Sequence, residues 1–318
     1  MLSGLLAHPV AFNSLILLAS LFVIYKSADL LVLGISDYAR KLGLSDAIIG
    51  MVVVAMAASL PEIVSALTGF ANNQVNIGIG TILGTNMVHA AFALGALTFL
   101  TKKIRLKKTI FSRQRLLLWL ILMLPFVLAT IGEELSRIDG TILIAAFLLY
   151  LTLLWKKEGT LGKLKKNVKL KTIWRDATIF LGCLLALMLS GKWLVFSAIN
   201  IAHAFSIPAY FIALTIIGIG TTLPDIAVEL RAINKHPSIG MGDLLGSLMI
   251  ELLLFFGIVA LISPIPLAHA GNALFFLATA ISLLVLWLDQ ELTWKHGLAF
   301  LTLYFLFLAI EIWKVTQT

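Results

Sequence analysis

Two short stretches carry chemistry that an apolar chain otherwise avoids: Ser59-Leu60-Pro61-Glu62 and Thr222-Leu223-Pro224-Asp225. Each sets a hydroxyl, a proline and a carboxylate side by side. Each lies inside an apolar run, Ala47 to Ala71 and Ile207 to Ala232, long enough to cross a bilayer. A charged carboxylate at that depth costs about 2.5–3.5 kcal/mol on insertion scales, so it is retained where it has a function. Proline removes a helix hydrogen bond and frees a carbonyl about one turn earlier. Such carbonyls are tolerated in a membrane only where they line a cavity or meet a protein partner. Carboxylate, hydroxyl and loose carbonyl oxygens together suit a hard cation.

A second pair of patterns follows the first at near-equal distance. Gly78-Ile79-Gly80-Thr81-Ile82-Leu83-Gly84-Thr85 corresponds to Gly240-Met241-Gly242-Asp243-Leu244-Leu245-Gly246-Ser247. The spaced glycines let helices approach closely. Thr85 and His89 are four residues apart, as are Ser247 and Glu251, which places each pair on one helix face. With these faces inward, Glu62, Asp225 and Glu251 converge with several hydroxyls and the imidazole of His89. His89 can be an interhelical hydrogen bonder, a proton acceptor titrating near neutrality, or a nitrogen ligand, which would suit zinc, copper, iron or nickel better than calcium.

The elements that must position these residues are membrane helices. The 318-residue chain is 60% apolar and 13% charged, with a mean hydropathy of +1.02; soluble domains run at roughly 45–50% and about 25%. Ten apolar segments are expected, near 12–34, 46–71, 75–100, 116–132, 139–155, 177–200, 207–232, 238–262, 270–288 and 296–313. No charged region precedes the first, so a cleaved signal peptide is not expected. Cys183 is the single cysteine, which excludes an internal disulfide.

The net charge of +8 is topological and does not point to nucleic acid. Twenty of the 24 Lys and Arg residues lie on loops of one parity, after the odd-numbered segments. The positive-inside rule makes those loops cytoplasmic and puts both termini outside. Residues 1–155 and 176–318 then form two five-helix halves, joined by a basic tether at 156–175 and matched at an offset of 162–163 residues. Five is odd, so the halves are inverted, as in many secondary transporters.

At these residues the chain resembles the calcium/cation antiporter superfamily, in its sodium/calcium exchanger branch. That family carries Gly-Thr-Ser-Leu-Pro-Glu on one helix and Gly-Ser-Asn-x-x-Asn/Asp on the next, in two inverted repeats. Ser27-Ala28-Asp29-Leu30-Leu31-Val32 is similar to a further recurring stretch. The resemblance implies central acids at Glu62 and Asp225, and hydroxyl ligands at Ser59, Thr85, Thr221, Thr222 and Ser247. It places last-turn ligands at His89 and Glu251, and carbonyl ligands near Ala55 and Gly218. Departures are plain: Ala57-Ala58-Ser59 lacks the usual Gly-Thr, Asp225 is shorter than the family's Glu, and Glu251 is longer than its Asp. Leu248 replaces an asparagine that Asn86 keeps, and His89 stands where an amide is usual.

The expectation is therefore an all-α integral membrane antiporter of a prokaryotic inner or plasma membrane. It exchanges a divalent cation, Ca2+, for Na+ or H+, while the first and sixth segments slide or rock to alternate access. It is expected to be a monomer in the lipid bilayer, with no cofactor besides the transported ions and no enzymatic activity. The alternatives are a proton-coupled exporter of Mg2+ or a transition metal, and, in another class, a cation channel. Lys26 with Asp29 suggests a local ion pair, and Lys192 a snorkelling side chain. Asp243 and Glu229, about a turn from a cytoplasmic helix end, suggest a solvated face or, as the alternative, the lining of an entry path. His8, His203, His236, His269 and His296 suggest loop or interface positions.

Overall fold

The computed structural model describes residues 9–41, 52, 55–104, 115–158, 170–235, 237–287 and 291–317. The chain opens with α1 (Pro9–Lys41), then α2 (Ala55–Ala58) and α3 (Leu60–Ala71), divided at Ser59. Next come α4 (Val75–Met87), a π-helical turn at Val88–Ala93 and α5 (Leu94–Thr101), followed by α6 (Arg115–Gly132) and α7 (Arg137–Glu158). The remainder comprises α8 (Leu170–Phe205), α9 (Ala209–Ile212), a second π-turn at Ala213–Ile217, and α10 (Gly218–Lys235). It continues with α11 (Pro237–Met249), a third π-turn at Ile250–Phe255, α12 (Phe256–Ile262), α13 (Leu267–Trp287) and α14 (Trp294–Gln317). Six described helical stretches are long and apolar enough to cross a membrane: Pro9–Ser27, Val75–Thr101, Leu181–Phe205, Gly242–Ile262, Ala270–Trp287 and Trp294–Gln317. Most of the basic tether, the start of the second apolar segment, His8 and His236 lie outside the described residues.

The two proline motifs do not behave alike. At the first, Ser59 leaves the helix (φ −81°, ψ 5°) and a new one starts at Leu60 with Pro61 in its first turn, where a missing N–H falls among the unpaired donors. At the second, α10 runs continuously through Pro224, contrary to the expected break. The irregularity lies about two turns before the proline, in the π-turn at Ala213–Ile217. A π-turn widens the helix by one residue and so re-aims every side chain after it. The other two π-turns stand at matched positions, containing His89 and Glu251 respectively.

Two short antiparallel strand pairs qualify the all-α expectation: β1 (Lys103–Ile104) with β4 (Leu292–Thr293), and β2 (Glu134–Leu135) with β3 (Ile265–Pro266). The residues before β1 and β2, Lys102 and Glu133, adopt left-handed φ of 58°, which ends the preceding helix and turns the chain into the strand. The carbonyls of the same two residues accept hydrogen bonds from Trp294 N–H (3.1 Å) and Leu267 N–H (2.9 Å). Lys103 Nζ further pairs with Glu291 at 2.5 Å, half-exposed.

Packing uses glycine where helix backbones touch. In a bilayer the helices gain little hydrophobic drive from one another, so close van der Waals contact has to hold them together. Gly95 of α5 faces Gly297 of α14, and Gly140 of α7 faces Gly257 of α12. A Cβ on Gly297 would stand 2.7 Å from the Phe99 nitrogen and 2.8 Å from the Gly95 carbonyl. Gly297→Val is expected to destabilise the protein by about 1–3 kcal/mol through overpacking, read as a lowered melting temperature in detergent.

The buried apolar side chains form two clusters. The larger runs through α4 to α7 and α11 to α14. The smaller, with Leu17, Ile24, Leu187, Leu194 and Ala198, joins α1 to α8. These two long helices make the most extensive pairing in the molecule and lie against α3 and α10. Asn200 Nδ2 donates to Asn13 Oδ1 (3.1 Å) between them.

Candidate cation-binding site

Two crossings bring the site together: α4 packs against the π-turn at Ala213–Ile217, and α2 packs against α11. Gly84 permits the first crossing, its Cα side lying against the backbone of Leu214 and Gly218. All nine candidate residues are buried: Ser59, Glu62, Thr85, His89, Thr221, Thr222, Asp225, Ser247 and Glu251.

The centre is an imidazole held between two acids. His89 Nδ1 lies 2.5 Å from Glu251 Oε1, and His89 Nε2 lies 2.9 Å from Asp225 Oδ2. The first contact is a hydrogen bond; the second has ion-pair distance without hydrogen-bond alignment. Ser247 Oγ donates weakly to Asp225 Oδ2 at 3.4 Å. Asp225 Oδ1 and Glu251 Oε2 have no hydrogen-bond partner among the described residues. The same holds for both oxygens of Glu62 and for Ser59 Oγ. Glu62 interacts electrostatically with Glu251, Asp225 and His89. Leaving buried ionised oxygens unpaired is costly. A cation or protons must therefore complete this group.

The other hydroxyls are satisfied along their own helices. Thr85 donates to Ile82 O (3.1 Å), Thr221 to Ile217 O (2.9 Å) and Thr222 to Gly218 O (2.7 Å). Their oxygen lone pairs stay available to a cation, since a hydroxyl donates one hydrogen and accepts at two positions. The Ala55 carbonyl accepts the Ser59 N–H and retains a second lone pair, whereas the Gly218 carbonyl already accepts from the hydroxyls of Thr222 (2.7 Å) and, weakly, Thr221 (3.4 Å).

One expectation is overturned. Glu229 and Asp243 are fully buried, and none of their four carboxylate oxygens has a partner among the described residues. The positions suggest helix ends near water, but α10 and α11 pack on each other and close that face. Donor atoms of His89, Asp225 and Glu229 lie within 4.8 Å of one another, so Glu229 belongs to the cluster. Its spacing of four from Asp225 was the available signal. Lys192 is exposed, as snorkelling requires, whereas Lys26 sits by the rings of Phe22 and Tyr25 (5.9 and 5.4 Å). The Asp29 side chain lies outside the described residues. His296, more than a loop residue, accepts the Thr293 N–H (2.9 Å) and stacks near Trp287.

Apolar membrane-length helices closed around buried acids, hydroxyls and an imidazole define a membrane transporter of cations. The chain belongs to the sodium/calcium exchanger protein family, whose model matches residues 12–156 and 176–313. It is thus an antiporter and not an enzyme. It is 32% identical over 284 residues to the putative antiporter CaxA of Alkalimonas amylolytica, covering 86% of this chain and 88% of that one. It is 25% identical over 322 residues to the sodium/calcium exchanger MaX1 of Methanosarcina acetivorans, covering 87% and 91%. The fold matches the sodium-calcium exchanger NCX_Mj, soaked with 10 mM Na+ and no Ca2+, with a TM-score of 0.72 and 25% identity over 94% of this chain and 99% of that one.

Proposed function

We propose that this antiporter exchanges a divalent cation, Ca2+, for protons by alternating access in a prokaryotic plasma membrane. In this reading ten transmembrane helices form two inverted repeats, with both termini outside. Glu62, Asp225 and Glu251 hold the ion, helped by oxygens of Ser59, Thr85, Thr221, Thr222 and Ser247.

The observation that carries proton coupling is the imidazole between Asp225 and Glu251. A neutral imidazole has one donor and one acceptor nitrogen, and an ionised carboxylate only accepts. With both acids ionised, only an imidazolium satisfies both contacts; with a neutral ring, one acid must be protonated. Either way the trio holds one proton beyond its fully deprotonated form. A divalent ion taking the oxygens of Asp225 and Glu251 displaces that proton and swings the ring aside. The acids cannot all cross charged and empty through low dielectric, so each crossing carries cation or proton.

The test is calcium-45 uptake into proteoliposomes loaded acid or loaded with sodium. Acid-driven uptake is expected, and His89→Asn should flatten its dependence on pH. An unchanged pH profile in that variant overturns proton coupling through His89. A second reading, sodium as the counter-ion, is favoured by the hydroxyl oxygens around the acids and by the exchanger MaX1 among the relatives. Uptake driven by sodium alone would select it.

A further inference from the structure

The cluster is lopsided. Glu229 and Asp243 correspond, at the repeat offset, to Ala66 and Thr81, so only the second half carries these acids. Glu229 lies one turn beyond Asp225 on α10, and Asp243 one turn before Ser247 on α11. The two helices pack on each other, and along the chain both acids lie between the centre and the connection at 235–237. Glu229 interacts electrostatically with Asp225, His89 and Asp243. With them the buried carboxylates in this region number five: Glu62, Asp225, Glu229, Asp243 and Glu251. One divalent ion at the centre leaves such a set with excess negative charge in a low-dielectric interior, which favours a further cation.

We propose that Glu229 and Asp243, sharing Asp225 with the central site, form a second binding site for a hard divalent cation on the side of the 235–237 connection. Its donors are carboxylate oxygens, fully buried and otherwise unpartnered, which selects calcium, magnesium or manganese over soft metals. A bridging carboxylate lets two cations sit close together, as in two-metal sites. The site places an ion next to the central one on one side only, so the two directions of transport differ in their last binding step. The inference rests on the cation-binding reading of the central cluster.

The experiment counts Mn2+ bound to the full-length protein in detergent at mildly alkaline pH, by electron paramagnetic resonance. The native chain is expected to bind two ions. Glu229→Gln/Asp243→Asn should keep one, and Glu62→Gln should keep the other. Asp243→Asn alone should weaken the second ion by about tenfold or more, since ligand charge tunes such affinities. Unchanged elution and melting in detergent show that each variant is folded. A native chain binding one ion, lost in Glu62→Gln and unaltered in the double variant, overturns the second site and leaves the central one standing. A native chain binding none overturns both.

Discussion

Glu62→Gln is expected to bring cation exchange down to the level of protein-free liposomes, a loss of at least about 100-fold, or roughly 2.7 kcal/mol. Glutamine matches glutamate in size, so the core around α3 is undisturbed and only the charge is removed. Both oxygens of Glu62 are buried with no partner among the described residues, so their charge serves no fold contact that the amide would break. Hard divalent ions depend on the number of charged ligands, and the proposed central site has three. Glu62→Asp keeps the charge with a shorter reach, as Asp225 does at the matched position, and should retain part of the activity. Tracer exchange in proteoliposomes, with elution from a sizing column as the folding control, decides the matter. Native rates in Glu62→Gln would remove this residue from the site.

Gly84→Val is expected to prevent the folded protein from accumulating. A Cβ at this position would stand 2.2 Å from the Leu214 carbonyl oxygen and 2.8 Å from the carbon and Cα of the same residue. The obstacle is backbone, so no rotamer change relieves it, and the cost should exceed the usual range of about 1–3 kcal/mol for overpacking. The only relief is to part α4 from the π-turn at Ala213–Ile217. That parting carries Thr85 and His89 away from Thr221, Thr222 and Asp225. Gly182, with nothing within 4 Å of an added Cβ, is the control: Gly182→Val should melt close to the native protein. Thermal melts followed by sizing chromatography measure both variants. A Gly84→Val protein melting near the native temperature would mean that the crossing is not as tight as described.

Much of this architecture is legible from residue types alone. Membrane depth makes polar residues expensive, so Glu62, Asp225, Glu251 and His89 stand out against apolar runs, and a spacing of four puts Thr85 with His89 and Ser247 with Glu251. What escapes the pattern depends on how elements meet. Glu229 and Asp243 look solvated because charge near a helix end usually is, and only the packing of α10 on α11 buries them. The π-turns insert a residue of rotation without any composition signal, and they decide where His89 and Glu251 point. Pro224 marks a break by rule yet rides inside a continuous helix, and the irregularity stands earlier, at Ala213–Ile217. The two-residue strands are too short for any alternation to announce them.

In the proposed arrangement of two inverted repeats, His89 and Glu251 hold matched positions, 162 residues apart, and they touch. Trp119 and Ser282, also matched, touch as well, through the indole N–H and the Ser282 hydroxyl at 3.2 Å. Matched positions that meet lie on a two-fold axis, and in a dimer of identical subunits whatever sits on that axis meets its own copy. Such a dimer would have to pair imidazole with imidazole or carboxylate with carboxylate at its centre. Joining both halves in one gene lifts that restriction, because each side of the axis can then mutate alone. An acid facing a base across the middle is open to a chain with two unlike halves and closed to a dimer of identical ones.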